Sequence, residues 1–181
     1  MKLQGDINIP VLIAGTLAIM VFSWFLSIKH GRYHGIARFF AFESIFIMTL
    51  LNFRIWFRDP FSISQTASWV LLLSSIYFAF AGFMLLKRIG KPQGGNFENT
   101  SVLVTNGLYR YIRHPLYLSL LLLGTGIMLK NPRPLLLALG AINLIALWLT
   151  ARIEEREMTA KFGEEYRNYM KVSKMFIPYI L

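Results

Sequence analysis

Residues 102 to 117, Val-Leu-Val-Thr-Asn-Gly-Leu-Tyr-Arg-Tyr-Ile-Arg-His-Pro-Leu-Tyr, form a polar and aromatic island between long apolar stretches. The rings are Tyr109, Tyr111, His114 and Tyr117, and the cations are Arg110 and Arg113. Such side chains serve as anchors at membrane interfaces, so the island alone selects no chemistry. A second cluster, Arg152-Ile153-Glu154-Glu155-Arg156-Glu157, adds carboxylates. Glu154, Met158, Phe162, Tyr166 and Tyr169 recur at spacings of four, four, four and three, which predicts one helix face. Glu154 therefore belongs to an apolar stripe, where a carboxylate needs a cationic or hydrogen-bonding partner. Glu155 is one step round the helix.

Carboxylates, a histidine, cations and aromatic walls together suit an amphipathic ligand with a positive centre. S-adenosyl-L-methionine is one such ligand. Its adenine takes an apolar or stacking slot, its amino group a carboxylate, and its carboxylate a cation or N–H donors. Its sulfonium is tolerated beside aromatic faces. Methyl transfer is a direct displacement that rests on positioning and desolvation. The residues permit this ligand without selecting it.

The elements that must position these clusters are membrane helices. The chain has 181 residues, 55% of them apolar and 15% aromatic, with no cysteine. Disulfides, thiolate metal sites and a cysteine nucleophile are excluded. Several apolar runs approach the roughly 20 residues that span a bilayer. The expected fold is all-α: a polytopic bundle of about five transmembrane helices with a C-terminal cytoplasmic amphipathic helix. The chain reads as a single integral membrane domain. Residues 1–100 form a three-span part, and residues 101–181 a cofactor-binding two-span hairpin plus tail. The net charge of +10 fits basic loops and contact with membrane lipids rather than nucleic acid. A weak positive start and a long first apolar stretch argue against a cleaved signal peptide.

Span one is expected from about Ile7 to Ile28. The basic loop after it places His30 and His34 four residues apart, a spacing that binds metal on a helix. Gly31 and Gly35 argue against a helix there, so no metal site is expected. Span two runs from about Ile36 to Phe57 and carries Arg38, Glu43, Asn52 and Arg54. An ionisable residue in a span is a functional hypothesis by default. Arg38 and Arg54 can snorkel, whereas Glu43 is deeper and either pairs with Arg38 or makes a polar contact between helices. Span three runs from about Ala67 to Leu86, with small residues around Gly82 for close packing. Residues 90 to 101 read as a flexible polar loop without a phosphate-binding motif. Thr105-Asn106-Gly107 is a turn. Pro115 opens span four, which ends near Leu129 and contains Gly124-Thr125-Gly126. Asn131-Pro132-Arg133-Pro134 is a tight connection, so span five, Leu135 to about Leu149, runs antiparallel to span four. Loops one and three and the tail hold the basic residues. The positive-inside rule puts them in the cytoplasm, with the N-terminus outside.

Residues 102 to 178 resemble the isoprenylcysteine carboxyl methyltransferase family, which is related to membrane phospholipid N-methyltransferases. The matching pieces are Leu103 to Tyr109, Arg113-His114-Pro115-Leu116-Tyr117, Gly124-Thr125-Gly126 with Asn131-Pro132, Glu154-Glu155, Phe162 to Tyr166 and Pro178. The resemblance implies a five-span bundle that encloses S-adenosyl-L-methionine at its cytoplasmic side, with a lipophilic methyl acceptor entering from the bilayer. By position, Val102, Leu103 and Val104 would line the adenosine pocket with Tyr109. His114, Pro115, Leu116 and Tyr117 would hold the amino-acid part and ribose. Glu154 would bind the cofactor, with Glu155 in support. Phe162 to Tyr166 reads better as a packing motif that docks the tail. Eukaryotic members use an Arg four residues before the first Glu of the pair to contact the substrate carboxylate. That position is Thr150 here, and Arg152 is the nearest cation. Arg113 and Arg152 are therefore the candidate catalytic cations, and the acceptor stays open between a prenylcysteine-like carboxylate, a phospholipid amine, a thiol or another lipophilic nucleophile. An NADPH-dependent, sterol-reductase-like enzyme is the competing enzymatic reading, but a phosphorylated dinucleotide would need more cations around the pocket. A transporter or scaffold would predict an inverted repeat, and none is visible.

Overall fold

The computed structural model describes residues 8–92 and 99–178. Most of the expected polar loop, residues 93–98, and the start of span one at Ile7 lie outside the described residues. Among those described, six α-helices form and no strand. They are α1 (Ile9–Leu26), α2 (His34–Asn52), α3 (Ile63–Ile89), α4 (Pro115–Leu129), α5 (Pro134–Phe162) and α6 (Glu164–Val172).

The starts have local causes. The Asn8 side chain accepts from the Val11 N–H at 3.3 Å, and Ser62 accepts from Gln65 N–H at 3.3 Å. These satisfy N–H groups that have no partner within the helix. Pro115 and Pro134 occupy first helical positions, where a missing N–H leaves nothing unsatisfied. The long helix α5 ends because Gly163 adopts φ 58° and ψ −130°, a conformation that a side chain disfavours. The stripe from Glu154 to Tyr169 is therefore split between α5 and α6 rather than carried by one helix.

Four helical stretches are long and apolar enough to cross a bilayer: Ile9–His30, His34–Ile55, Ile63–Ile89 and Pro134–Phe162. Helix α4 is apolar but has only 15 residues. It is about 22 Å long, against a hydrocarbon core of about 30 Å. The protein is an all-helical integral membrane bundle. Helix α3 packs most extensively on α4, and α2 on α5.

Polar side chains in the spans join helices to one another. Thr16 Oγ1 on α1 donates to Glu43 Oε1 on α2 at 2.6 Å, so Glu43 makes a contact between helices. Asn52 donates to the Ile127 carbonyl at 2.7 Å, Ser68 to the Gly126 carbonyl at 2.6 Å, and Gln65 to the Lys130 carbonyl at 2.9 Å. Carbonyls at the C-terminal end of α4 lack partners within that helix, and α2 and α3 supply them. Buried Lys130 closes this end, donating to Gln65 Oε1 at 3.0 Å and lying 3.6 Å from the Trp69 ring centroid. The small residues of Gly124-Thr125-Gly126 admit neighbouring helices on both sides. A Cβ at Gly126 would come within 3.0 Å of Leu72 on α3. A Cβ at Gly124 would lie 2.5 Å from Asn143 Oδ1, whose amide donates to the Ala41 carbonyl at 3.1 Å. Gly124→Ala is expected to lose about 1–3 kcal/mol of stability by overpacking. A thermal midpoint unchanged from wild type in detergent would refute that close approach.

The other end of the bundle gathers the loops. Arg32 donates to Asn99 Oδ1 at 3.2 Å, and Lys161 donates to the same oxygen at 3.2 Å. His34 begins α2, and its Nδ1 lies 2.7 Å from Glu157 Oε2. His30 ends a short 3₁₀ turn, and Gly31 follows in the left-handed region. His34 is thus engaged with α5, and no cluster of potential metal ligands occurs among the described residues. Loop one, the segment before the island and the end of α5 meet on one face.

Candidate active site

The island folds back on itself and is locked by the tail. Gly107 opens a 3₁₀ turn, Gly107–Arg110, with φ 62°, and a Cβ there would lie 2.8 Å from Leu85. The turn expected at Thr105-Asn106-Gly107 lies further along, capped by Asn106 and running from Gly107 to Arg110. After α6 the chain runs alongside the island. Arg113 N–H donates to the Lys174 carbonyl at 2.8 Å, Lys174 N–H to the Tyr111 carbonyl at 3.0 Å, and His114 N–H to the Met175 carbonyl at 3.2 Å. The Tyr169 hydroxyl donates to the Tyr109 carbonyl. The side chains of Met175 and Phe176, on this strap, are buried.

Arg113 is the pin of the assembly. Its Nε donates to Glu155 Oε1 at 2.7 Å, and its Nη1 donates to the carbonyls of Ser173 and Met170. Both charged side chains are almost wholly buried, at 10% and 8% exposure. The guanidinium fork satisfies a carboxylate and the tail backbone at once, with its donors fixed in one plane.

His114 stands between the two carboxylates. Its Nδ1 is 3.5 Å from Glu154 Oε2, and its Nε2 is 3.5 Å from Glu155 Oε1. Its ring stacks on Tyr117 with centroids 5.4 Å apart. Burial pushes the imidazole down, but hydrogen bonding and charge from Glu154 and then Glu155 outweigh it, and the net shift is upward from 6.5. The stabilisation held by His114 is fully present below pH 6.5 and is lost as pH rises through the higher native value. His114→Gln is expected to flatten the fall in thermal midpoint above neutral pH; an identical pH profile would contradict this coupling. Burial also pushes the Tyr109 phenol well above 10, with the Glu154 charge adding to it. Tyr109 therefore remains a neutral hydroxyl at neutral pH.

These elements enclose a cavity of about 880 Å³, its mouth included. Of the residues singled out in the sequence, Leu103, Val104, Tyr109, Arg113, His114, Leu116, Tyr117 and Glu154 line it. Four others stand elsewhere. Val102 is 40% exposed and outside the cavity. Pro115 is buried behind the wall, against Gly82 of α3. Glu155 faces Arg113 and the opposite side of α5. Arg152 is exposed, with its guanidinium 5.9 Å from the Trp148 ring centroid, and does not reach the cavity.

The cavity also draws on residues outside the two clusters that the sequence marks: Arg38 and Phe42 of α2, Leu86 of α3, Thr100 and Leu120. Arg38 is buried, donates to Ser27 Oγ at 2.7 Å and lies 5.6 Å from the Phe42 ring centroid. Its signal in the sequence is a cation in an apolar span, which snorkelling could equally explain. Met158, Phe162, Tyr166 and Tyr169 complete the wall. The apolar stripe faces the cavity on both sides of the Gly163 break.

Among the described residues, one carboxylate, Glu154, faces this space, which is walled by aromatic and aliphatic groups, with Arg38, Arg113 and His114 also in its lining. The arrangement fits a ligand with an amino group, a flat apolar part and an anionic end.

The family model described as phospholipid methyltransferase matches residues 63–165. The chain is 30% identical over 115 residues to methanethiol S-methyltransferase 1 of Bradyrhizobium diazoefficiens, covering 62% of this chain and 39% of the relative. It is 35% identical over 89 residues to protein-S-isoprenylcysteine O-methyltransferase of Mus musculus, covering 46% and 30%. It is 33% identical over 72 residues to methanethiol S-methyltransferase of Mycobacterium tuberculosis, covering 40% and 29%. The chain thus spans well under half the length of these relatives. No solved structure matches it significantly. With more than half of its length matched to the family model, and with the island, the glutamate pair and α4 all inside the matched stretch, the chain belongs to the phospholipid methyltransferase family.

Proposed function

We propose that the protein is a membrane methyltransferase that uses S-adenosyl-L-methionine and acts on a lipophilic acceptor. The observation that carries this reading is the cavity-facing carboxylate, Glu154, set in an aromatic and aliphatic enclosure that the tail closes. When bound, the cofactor supplies an electrophilic methyl group on a sulfonium. Glu154 would hold its amino group, with His114 orienting the carboxylate from behind. Leu103, Val104 and Tyr109 would receive the adenine, and Arg38 is the cation placed to meet an anionic end. Tyr117, Tyr166 and Tyr169 would present faces that a sulfonium tolerates. The remaining task of the chain is to exclude water and fix the acceptor. Arg113 and Glu155 hold the island and tail in place around this space.

The acceptor enters from the bilayer, and the relatives' names offer sulfur and oxygen acceptors. In this reading α4 is the fifth span. Its start lies beside Glu154, and its end is tied to the start of α5 by the short connection at 130–133. The face that gathers Arg32, Lys161 and the tail is cytoplasmic by the positive-inside rule.

The reading is tested by ligand-dependent thermal stabilisation of detergent-solubilised protein. S-adenosylmethionine is expected to raise the midpoint and NADPH to leave it unchanged. Stabilisation by NADPH alone would overturn the proposal.

A further inference from the structure

Behind the cavity wall, on the far side of α5, lies a second feature that the methyl-transfer reading does not use. A groove between α5 and α6 is lined by Arg152, Arg156 and Arg167, with Thr159 and Met170. The carboxylate in its lining is Glu155, and that charge is already met by Arg113 at 2.7 Å. Arg167 is shared with exposed Glu164. Arg152 and Arg156 face solvent, and the Glu155 carboxylate, which stands between them in sequence, is turned to Arg113. The groove is therefore net cationic.

Its position relative to the bilayer follows from α5 itself. Leu144, Trp148, Arg152 and Arg156 recur every four residues along one row of the helix. Leu144 and Trp148 are exposed apolar side chains on a spanning helix, so they face lipid. The row changes from apolar to cationic within one turn, with the Arg152 guanidinium 5.9 Å from the Trp148 ring. Tryptophan at this level marks the headgroup region. The groove opens where lipid phosphates lie.

We propose that this groove binds the phosphate headgroup of an anionic lipid from the surrounding leaflet. The groove shares its walls with the candidate active site. Tyr166 and Tyr169 of α6 line the cavity, and Arg167 and Met170 of the same helix line the groove. A phosphate held between Arg152 and Arg156 on α5 and Arg167 on α6 fastens α6 against α5 and so stabilises the closed wall of the cavity. Each cation near an anionic surface contributes on the order of 1 kcal/mol, so removing two of them is expected to weaken lipid binding by roughly tenfold or more.

The direct test is thermal stability of the detergent-solubilised full chain, titrated with short-chain phosphatidylglycerol, short-chain phosphatidylcholine and inorganic phosphate. Phosphatidylglycerol is expected to raise the midpoint, and the other two are not. Arg156→Gln/Arg167→Gln is expected to shift the titration about tenfold or more to higher lipid, and Arg156→Lys/Arg167→Lys to restore most of the response. Arg58→Gln/Arg133→Gln, at the opposite end of the bundle, is expected to respond like wild type. An equal response to inorganic phosphate, no response to phosphatidylglycerol, or loss of the response only in the opposite-end variant would each overturn the proposal. This arm needs no cofactor, so its outcome is independent of the proposed methyl donor. The coupling to the cavity rests on the proposed function and is read separately, as tighter S-adenosylhomocysteine binding in nanodiscs that contain phosphatidylglycerol than in neutral ones. Equal affinity in both would remove the coupling.

Discussion

Glu154→Ala is expected to weaken binding of the methyl donor by about thirtyfold or more while leaving a folded, extractable protein. The two halves of this expectation have separate causes. The Glu154 carboxylate faces the cavity and is the one carboxylate in its lining among the described residues. Removing one partner of a buried charged hydrogen bond typically costs about 2–5 kcal/mol, which is about thirtyfold to several thousandfold in affinity. The fold survives because the tail is not held by Glu154. The Arg113–Glu155 pair and the backbone bonds from residues 113 and 114 to 174 and 175 remain. Direct titration of the variant with S-adenosylhomocysteine checks the expectation. Wild-type affinity would assign the ligand's amino group to some other partner.

Arg113→Ala is expected to do the opposite, acting first on stability. It strands the Glu155 carboxylate, which is only 8% exposed, and removes the donor to the Ser173 and Met170 carbonyls. Breaking a buried pair on one side costs about 3–5 kcal/mol. The apparent melting midpoint should fall sharply, and protease should cut near residues 173–178 under conditions where wild type is resistant. Arg113→Lys keeps the charge but loses the fork, so it should recover only part of the loss. The variant Arg113→Ala/Glu155→Leu removes both buried charges and is expected to be more stable than Arg113→Ala alone. If it is not, the pair is not what holds the tail.

The contrast between these two glutamates shows where the sequence runs out. Spacing places Glu154 on the stripe and Glu155 a step away, and the structure keeps that order. Spacing cannot say that Glu155 meets Arg113, because the partner is 42 residues distant and depends on how the island folds back. The bounds of α4 are legible, since Pro115 starts it and Lys130 with Asn131-Pro132 ends it. The stripe from Glu154 to Tyr169 is legible as one face, but the break at Gly163 is not, because helix periodicity carries across a single glycine that only its left-handed φ betrays. Arg38 illustrates the opposite limit. A cation in a span is visible, but whether it snorkels or faces a cavity depends on the neighbouring helices. Val102, Pro115 and Arg152 stand in or next to the pieces that carry the family resemblance, yet exposure or packing puts each of them outside the cavity.

The measurement that bears most directly on the proposed cofactor is calorimetric titration of S-adenosylhomocysteine into detergent-solubilised wild-type protein. Saturable binding at one site per chain is expected. No heat of binding, in protein whose protease-resistant tail shows the cavity to be closed, would contradict it.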